Sequence, residues 1–417
     1  MFLNHIFKEQ QTGSFKEKNQ RKFKLHLQGF KEKKYKLIPG TCFISTIYNE
    51  EKSLPAFLKS FFEQDYLPEE MIFVDGGSTD ETVDTLRKFF LNKVISDFGL
   101  ETLENSDYST TRNVEGGAEI CGSYEVSFYS DNSENRCKVD VLLLRKKNAK
   151  ISEGRNIAIK NSRAEIICAS DAGCILDKKW IFEIIRFLQI NNSSGRDNKS
   201  GPGETDSRTS DIAGGYSKPV ALSFLEKILS MCIMPQLKEI NTVSFMPSSR
   251  NLGFKKYAWA KAGGYPENMD YGEDMKFNFN LKEKGYKILF NPDAIVFWRM
   301  RENLSQVFKQ FFRYAKGDAR GKMYLHRHLI RFSSLIDFLI VIALSIIFSP
   351  WFLFLLAPIF VFYVFRPFSR LNVTFCHIKK ITDRFFLKTA ALFIAPVMLI
   401  YIDIAKMSGF IYGLVKK

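Results

Sequence analysis

Residues 335–365 are 31 in a row with a single charge, Asp337, and that run constrains the chain more than any other feature. As one helix it would measure about 46 Å, against a bilayer hydrocarbon core of about 30 Å. Pro350 divides it, and both flanks are basic. Residues 299–331 carry nine Lys/Arg against two acids, and 366–388 carry six against one. A single crossing would leave one basic flank on the outer side, against the tendency of positive charge to stay inside. The run is therefore expected to form a short hairpin, spanning or re-entrant, that returns to the side it left. A buried pair of soluble helices is the alternative. A third apolar run, 389–402, is open between lying in the interface and completing a crossing.

Charge and cysteine usage narrow the partners. The net charge of +15 points to a polyanion, and its placement on both sides of the apolar run favours anionic membrane lipid. No nucleic-acid partner is expected, because there is no zinc-finger spacing and no helix-turn-helix with base-reading side chains. Residues 1–36 add ten Lys/Arg against three Glu, so 1–38 reads as a basic, disordered arm with no secretory signal. Seven cysteines without CxxC pairing read as core thiols in a reducing compartment.

Between arm and apolar run the pattern alternates. Residues 41–47 and 71–74 are β-rich runs. Ser53 is placed to cap a helix with Leu54, Phe57, Leu58 and Phe61 at helical spacing, and Ser78 with Glu81 forms an S-x-x-E box before another. Residues 139–144 are a buried-type strand, 152–162 a helix, and 165–170 a strand ending at Asp171. Polar residues 97–138 read as an insertion, and the Gly/Ser/Asp-rich 191–210 as a flexible loop. Alternation of this kind predicts an α/β fold, a mostly parallel sheet with helices on both faces. Ligands of such sheets bind beyond the carboxyl ends of the strands, where Asp75 and Asp171 fall. The expected organisation is an α/β domain over 39–300, amphipathic interfacial helices over 301–333 and a membrane-embedded region over 334–417.

Two short motifs stand at the first two strand ends. Thr46-Ile47-Tyr48-Asn49-Glu50-Glu51 follows the first, and Val74-Asp75-Gly76-Gly77-Ser78-Thr79-Asp80 the second. A carboxylate there can accept from a base N–H or ribose hydroxyls, and glycines allow close backbone approach. A plain turn would also explain the Asp-Gly-Gly triplet. Together, however, the pair resembles the nucleotide-binding opening of family-2 glycosyltransferases, and further landmarks follow in that family's order. Gly154-Arg155-Asn156 resembles its A-R-N element, and Ser170-Asp171-Ala172-Gly173 stands where the family has D-x-D. Gly264-Tyr265-Pro266 precedes Gly272-Glu273-Asp274, which resembles the acidic catalytic motif, and Lys284-Gly285-Tyr286 follows. The resemblance spans about residues 40–320.

The resemblance implies a GT-A fold followed by C-terminal membrane helices, and an inverting glycosyltransferase using a nucleotide-diphosphate sugar donor. Thr46, Tyr48, Glu50, Asp75, Arg155 and Asp171 would bind the nucleotide. Asp274 would be the general base, with Glu273 divided between acceptor binding and solvent. Asp171 would also meet a divalent metal, Mg²⁺ or Mn²⁺. Two positions depart from the family: Gly173 replaces the second Asp of D-x-D, and Trp298 stands where relatives carry a late His. Arg155, Arg250 or Arg299 could therefore carry more of the diphosphate. Gln310-Phe311-Phe312-Arg313-Tyr314 resembles the Q-x-x-R-W element of processive synthases. It lies on a helix with an apolar stripe from Leu304 to Ala315, and Gln310 and Arg313 share its other side. Arg313 would reach diphosphate, or serve a connector that meets lipid phosphate. The expected activity is transfer to a lipid-linked or glycan acceptor for cell-envelope polysaccharide, at the cytoplasmic face of the plasma membrane. A processive synthase and a catalytically silent membrane scaffold are the alternatives.

Overall fold

The computed structural model describes residues 35–91, 100–104, 114–129, 136–188, 210–378 and 380–416. The chain forms two compact units, each of several segments. One takes residues up to 218, 241–268 and 274–298. The other takes 219–240, 269–273 and 299–417.

The first unit is built on β1 (Lys36–Ile47), β2 (Tyr66–Asp75), β5 (Arg136–Arg145) and β6 (Ile166–Ala169), all parallel. To these are added β3 (Glu101–Glu104), β4 (Glu119–Tyr129), β7 (Cys174–Leu176), β8 (Ile212–Val220), β9 (Leu252–Lys255) and β10 (Ile288–Arg299). The resulting ten-stranded sheet runs β3-β4-β5-β2-β1-β6-β9-β8-β10-β7. Successive side chains of a strand point to opposite faces, and here both faces are covered. Phe43 and Phe73 face one side, against Phe57 and Phe61 of α1 (Leu54–Phe62) and against Trp180. Ile44, Ile72 and Val74 face the other, with Ile157 of α3 (Ile151–Asn161). Burial on two faces is why these strands read as continuous apolar runs rather than alternating ones.

Several local expectations differ from the structure. Ser53 makes no cap bond; its hydroxyl turns to the Glu50 carboxylate. The S-x-x-E box does not form either. The helix α2 (Thr82–Leu91) starts four residues after Ser78 and is capped by Asp80, which accepts the Thr82 N–H at 3.0 Å. Ser78 Oγ instead accepts the Asn49 N–H, a tertiary bond that outcompetes the local one. The sheet takes in Lys36–Ile38, assigned by charge to the arm, as Tyr35 closes on the Phe62 carbonyl at 2.9 Å. Within 97–138 most of the described residues are sheet: β3 and β4 extend β5 antiparallel to the edge. Most of the arm, and 191–209 of the expected flexible loop, lie outside the described residues.

The second unit is helical. It contains α5 (Phe224–Ile233), α8 (Leu304–Gly321), α9 (Leu325–Ile347), a 3₁₀ turn Pro350–Leu355, α10 (Leu356–Ser369), the short α11 (Leu371–Thr374) and α12 (Ile381–Val415). In the first unit α4 is Trp180–Ile185 and α6 Lys256–Lys261, while α7 is Glu273–Glu283. Leu325–Ile347, Pro350–Thr374 and Ile381–Val415 are long and apolar enough to cross a membrane. The third is far longer than the 14 residues read from 389–402, because the helix continues through Pro396 to residue 415. Asp403 of α12 ties the set together. It pairs with Arg331 of α9 at 2.7 Å and accepts from the Tyr363 hydroxyl of α10 at 2.6 Å. The apolar stripe of α8 also finds a protein partner: Phe308 and Phe312 pack on Tyr401 and Tyr412 of α12.

Candidate active site

The opening motifs meet at the carboxyl ends of β1 and β2. Asp75 ends β2 fully buried, and its carboxylate accepts the Gly77 and Ser78 N–H groups at 3.1 and 3.0 Å. Arg145, at the end of the neighbouring β5, pairs with it at 3.2 Å. Gly77 takes φ +93°, a left-handed conformation that strains other residues. Asp75 thus shapes the turn. Across from it, Asn49 Oδ1 accepts the Thr79 N–H at 2.9 Å, locking the two loops. Tyr48 is left 60% exposed beside Gly76, its ring open to a planar ligand.

The Gly154-Arg155-Asn156 element opens the interior of α3. Gly154 has no side chain because a Cβ there would run into Thr46. That close approach brings Arg155, itself buried, to Asp171 at 3.0 Å and over the Tyr265 ring at 5.3 Å. Asn156 closes the other side: its amide donates to the Tyr265 carbonyl at 2.9 Å and to Glu267 at 2.7 Å, and its oxygen accepts the Tyr265 N–H.

Asp171 follows β6 by two residues and is one-third exposed. β9 runs antiparallel to β6 and begins opposite its end, so Arg250 arrives at the same edge, 3.8 Å from Asp171. Arg250 lies 3.9 Å over the Trp298 ring. The residue replacing the family's late His is therefore a cation platform. Ser248 completes the line. It accepts the Arg250 Nε–H at 3.2 Å and donates to Asp274 Oδ2 at 2.9 Å. Asp274 Oδ1 accepts the Met275 N–H at 2.8 Å near the start of α7, where a carboxylate suits the helix N-terminus. One polar chain thus runs Arg155–Asp171–Arg250–Ser248–Asp274. Beside it the buried Cys174 thiol is pushed up to about 12 by burial, with Arg250 opposing and Asp171 and Glu50 adding to the rise.

Four expected site residues belong to the helical unit and do other things there. Glu273 is buried, so it is not a solvent carboxylate. Arg299 pairs with the fully buried Glu226 at 3.2 Å and with Glu302 at 2.9 Å, which ties it to α5 rather than offering it to a diphosphate. Gln310 and Arg313 do not share a face. Gln310 is buried, with its amide donating to the Tyr314 hydroxyl and accepting from Arg301, while Arg313 is exposed over the Tyr271 ring at 5.1 Å. Ser248 and Arg145 were not anticipated. A serine before an arginine in a loop carries no sequence signal, and Arg145 is marked only by ending a strand.

The donor set accommodates a divalent metal in one way. Among the described residues no three His, Cys, Asp or Glu side chains converge as a metal group. A Cβ at Gly173 would stand 3.8 Å from both Glu50 carboxylate oxygens, so the side of Gly173 where a second Asp would project already faces a carboxylate. Asp171 and Glu50 therefore fit an ion that arrives on a diphosphate and keeps mostly phosphate and water oxygens.

Comparison with known proteins bears on the family and the fold. The family description "Glycosyl transferase family 2" matches residues 42–105, from β1 through the loops after β1 and β2, and "Glycosyl transferase family group 2" matches 214–402. The chain is a family-2 glycosyltransferase. Its sheet is the GT-A fold. The transferase is 22% identical over 280 residues to the poly-beta-1,6-N-acetyl-D-glucosamine synthase of Staphylococcus aureus (strain COL). That stretch is 67% of this chain and 55% of the synthase, so the chain spans about half the length of the curated relatives it matches. Among solved structures it is similar to the mannosyltransferase PcManGT from Pyrobaculum calidifontis, in complex with GDP-Man and Mn²⁺. That similarity has TM-score 0.49 and 13% identity over 100% of this chain and 99% of the other. It is also similar to S. aureus TarS 1–349 in complex with UDP-GlcNAc, with TM-score 0.40 and 15% identity over 90% of each chain.

Proposed function

We propose that this transferase moves one sugar, with inversion, from a nucleotide-diphosphate sugar to a lipid-linked or glycan acceptor at the cytoplasmic face of the plasma membrane. The observation that carries this reading is the polar chain from Arg155 to Asp274. It sets two guanidinium groups and a prospective base side by side at the carboxyl end of the sheet. Tyr48 and the loops fixed by Asp75 and Asn49 receive the nucleoside, with Thr46 and Glu50 behind them. Arg155 and Arg250 meet the diphosphate. Asp274 takes the acceptor hydroxyl proton as the oxygen attacks the anomeric carbon. The bond from that carbon to the diphosphate oxygen breaks, and the nucleoside diphosphate leaves with the electron pair. A divalent ion bound with the donor at Asp171 and Glu50 would supply further charge stabilisation to the leaving group.

Asp274→Asn tests the base. The expected loss in kcat is roughly 10²–10⁴, with little change in donor binding because the residue acts on the other substrate. Wild-type turnover in this variant removes Asp274 from the mechanism. A second reading, chain elongation, is favoured by the resemblance to a polysaccharide synthase. Product length separates the two: a single added sugar under excess donor supports transfer, and a ladder supports polymerisation.

A further inference from the structure

We propose that α8 is a clamp that positions the acidic loop carrying the catalytic motif, and that α12 holds the clamp in place; this rests on the reading of Asp274 as base. The loop is Met269–Glu273, which belongs to the same unit as α8 and α12 and is followed in the chain by Asp274. Three α8 side chains and the backbone at Gly317 grip it, and Met323 closes beyond the helix end. Arg320 pairs with Asp270 at 3.1 Å and Lys316 with the same carboxylate at 3.7 Å. The Arg313 guanidinium covers the Tyr271 ring at 5.1 Å. At Gly317 the two backbones touch: a Cβ there would overlap the Tyr271 carbonyl and stand 3.2 Å from the Gly272 nitrogen. Gly272 itself needs φ +76°, and a side chain on it would meet Met323 at 3.2 Å.

A neighbouring face of α8 is held just as closely. Gly409 and Gly413 of α12, one turn apart, lie on the α8 backbone. A Cβ at Gly409 would overlap the Phe312 carbonyl, and one at Gly413 would stand 2.7 Å from the Lys316 carbonyl oxygen. Small residues spaced in this way let helix backbones approach in apolar surroundings. Arg320 also donates to the Lys416 carbonyl at 3.2 Å, so one side chain spans loop, clamp and C-terminal helix. Backbone contact on both faces leaves little slack, and a displacement of about 1 Å at a catalytic group can cost on the order of 10² in rate. Arg313 and Gly317 are thus positioning residues, and Arg313 takes this role in place of diphosphate binding.

The test uses the full chain reconstituted in detergent or lipid discs, with sugar transfer and nucleoside diphosphate titration measured together. Gly317→Ala is expected to lower kcat at least tenfold while the nucleoside diphosphate Kd stays within twofold, and to speed hydrogen exchange over 269–276. Arg313→Ala should lower kcat without weakening nucleoside diphosphate binding, and Arg313→Lys, which keeps a cation over Tyr271, should restore most of the loss. Gly409→Val should act like Gly317→Ala from the neighbouring face of α8. Should Gly317→Ala fail to fold, Arg313→Ala and Arg320→Ala decide the matter from half-exposed or exposed positions. Wild-type kcat in all of these variants, with Asp274→Asn inactive, overturns the clamp alone. A rise in nucleoside diphosphate Kd matching the kcat loss of Arg313→Ala overturns it in favour of diphosphate binding. Full turnover in Asp274→Asn overturns the base and the clamp together.

Discussion

Single residues carry the clearest consequences at Asp171. Its carboxylate lies between Arg155 and Arg250, and in the proposed mechanism an incoming ion would share it with Glu50. Metal affinity is therefore expected to be weak in the free protein and much stronger with a nucleoside diphosphate, whose oxygens fill most of the shell. Asp171→Ala should abolish that coupling. Asp177→Ala, six residues on, should not, because the Asp177 carboxylate accepts the Lys179 N–H before α4. Calorimetric titration of Mg²⁺ or Mn²⁺ with and without nucleoside diphosphate checks both. The structure brings Asp171, Arg155, Arg250 and Asp274 together, and ordered motifs mark three of them, Arg155, Asp171 and Asp274, in the sequence. Ser248 is not marked, since its importance comes from the antiparallel entry of β9, which brings residues 77 positions apart to one edge. The same limit explains Arg299: its partner Glu226 lies 73 residues away and is invisible to local pattern.

Among the elements, the periodic pattern of α8 told that one face is covered but not by what. An interface with lipid and a contact with another helix ask for the same apolar stripe, and here Tyr401 and Tyr412 of α12 supply the contact. Two helix starts differ from local expectation because each serine hydroxyl has another partner: Ser53 turns back to Glu50, and Ser78 accepts from the distant Asn49. Where a cap does form it carries weight. Ser223 and Glu226 make a complete capping box on α5, and Glu226 also receives Arg299 while fully buried. Glu226→Ala strips the cap and removes the buried half of the Arg299–Glu226 pair, so a loss of about 3 kcal/mol is expected. Thermal unfolding of the purified protein should show it as a lower Tm.

For the molecule as a whole, the three apolar helices set a topology that can be tested. The break at Pro350 and the basic flanks predict that α9 and the segment after it are two arms of a hairpin, with residues 320 and 375 expected on the same, cytoplasmic side. Single cysteines introduced there into a cysteine-free variant should resist an impermeant reagent in intact cells and react after lysis. Labelling of position 375 from outside would open the hairpin.

The division of the helical unit among three stretches of chain has a consequence for the order of synthesis. Segments 219–240 and 269–273 are synthesised before any of 299–417 exists. At about 5–20 residues per second, the remaining 119 residues take on the order of ten seconds to follow. Through that interval the sheet can fold, but α5 and the acidic loop wait without the helices they rest on. A nascent chain stalled at residue 300 would hold every strand of the sheet and still lack the support of its own acidic loop.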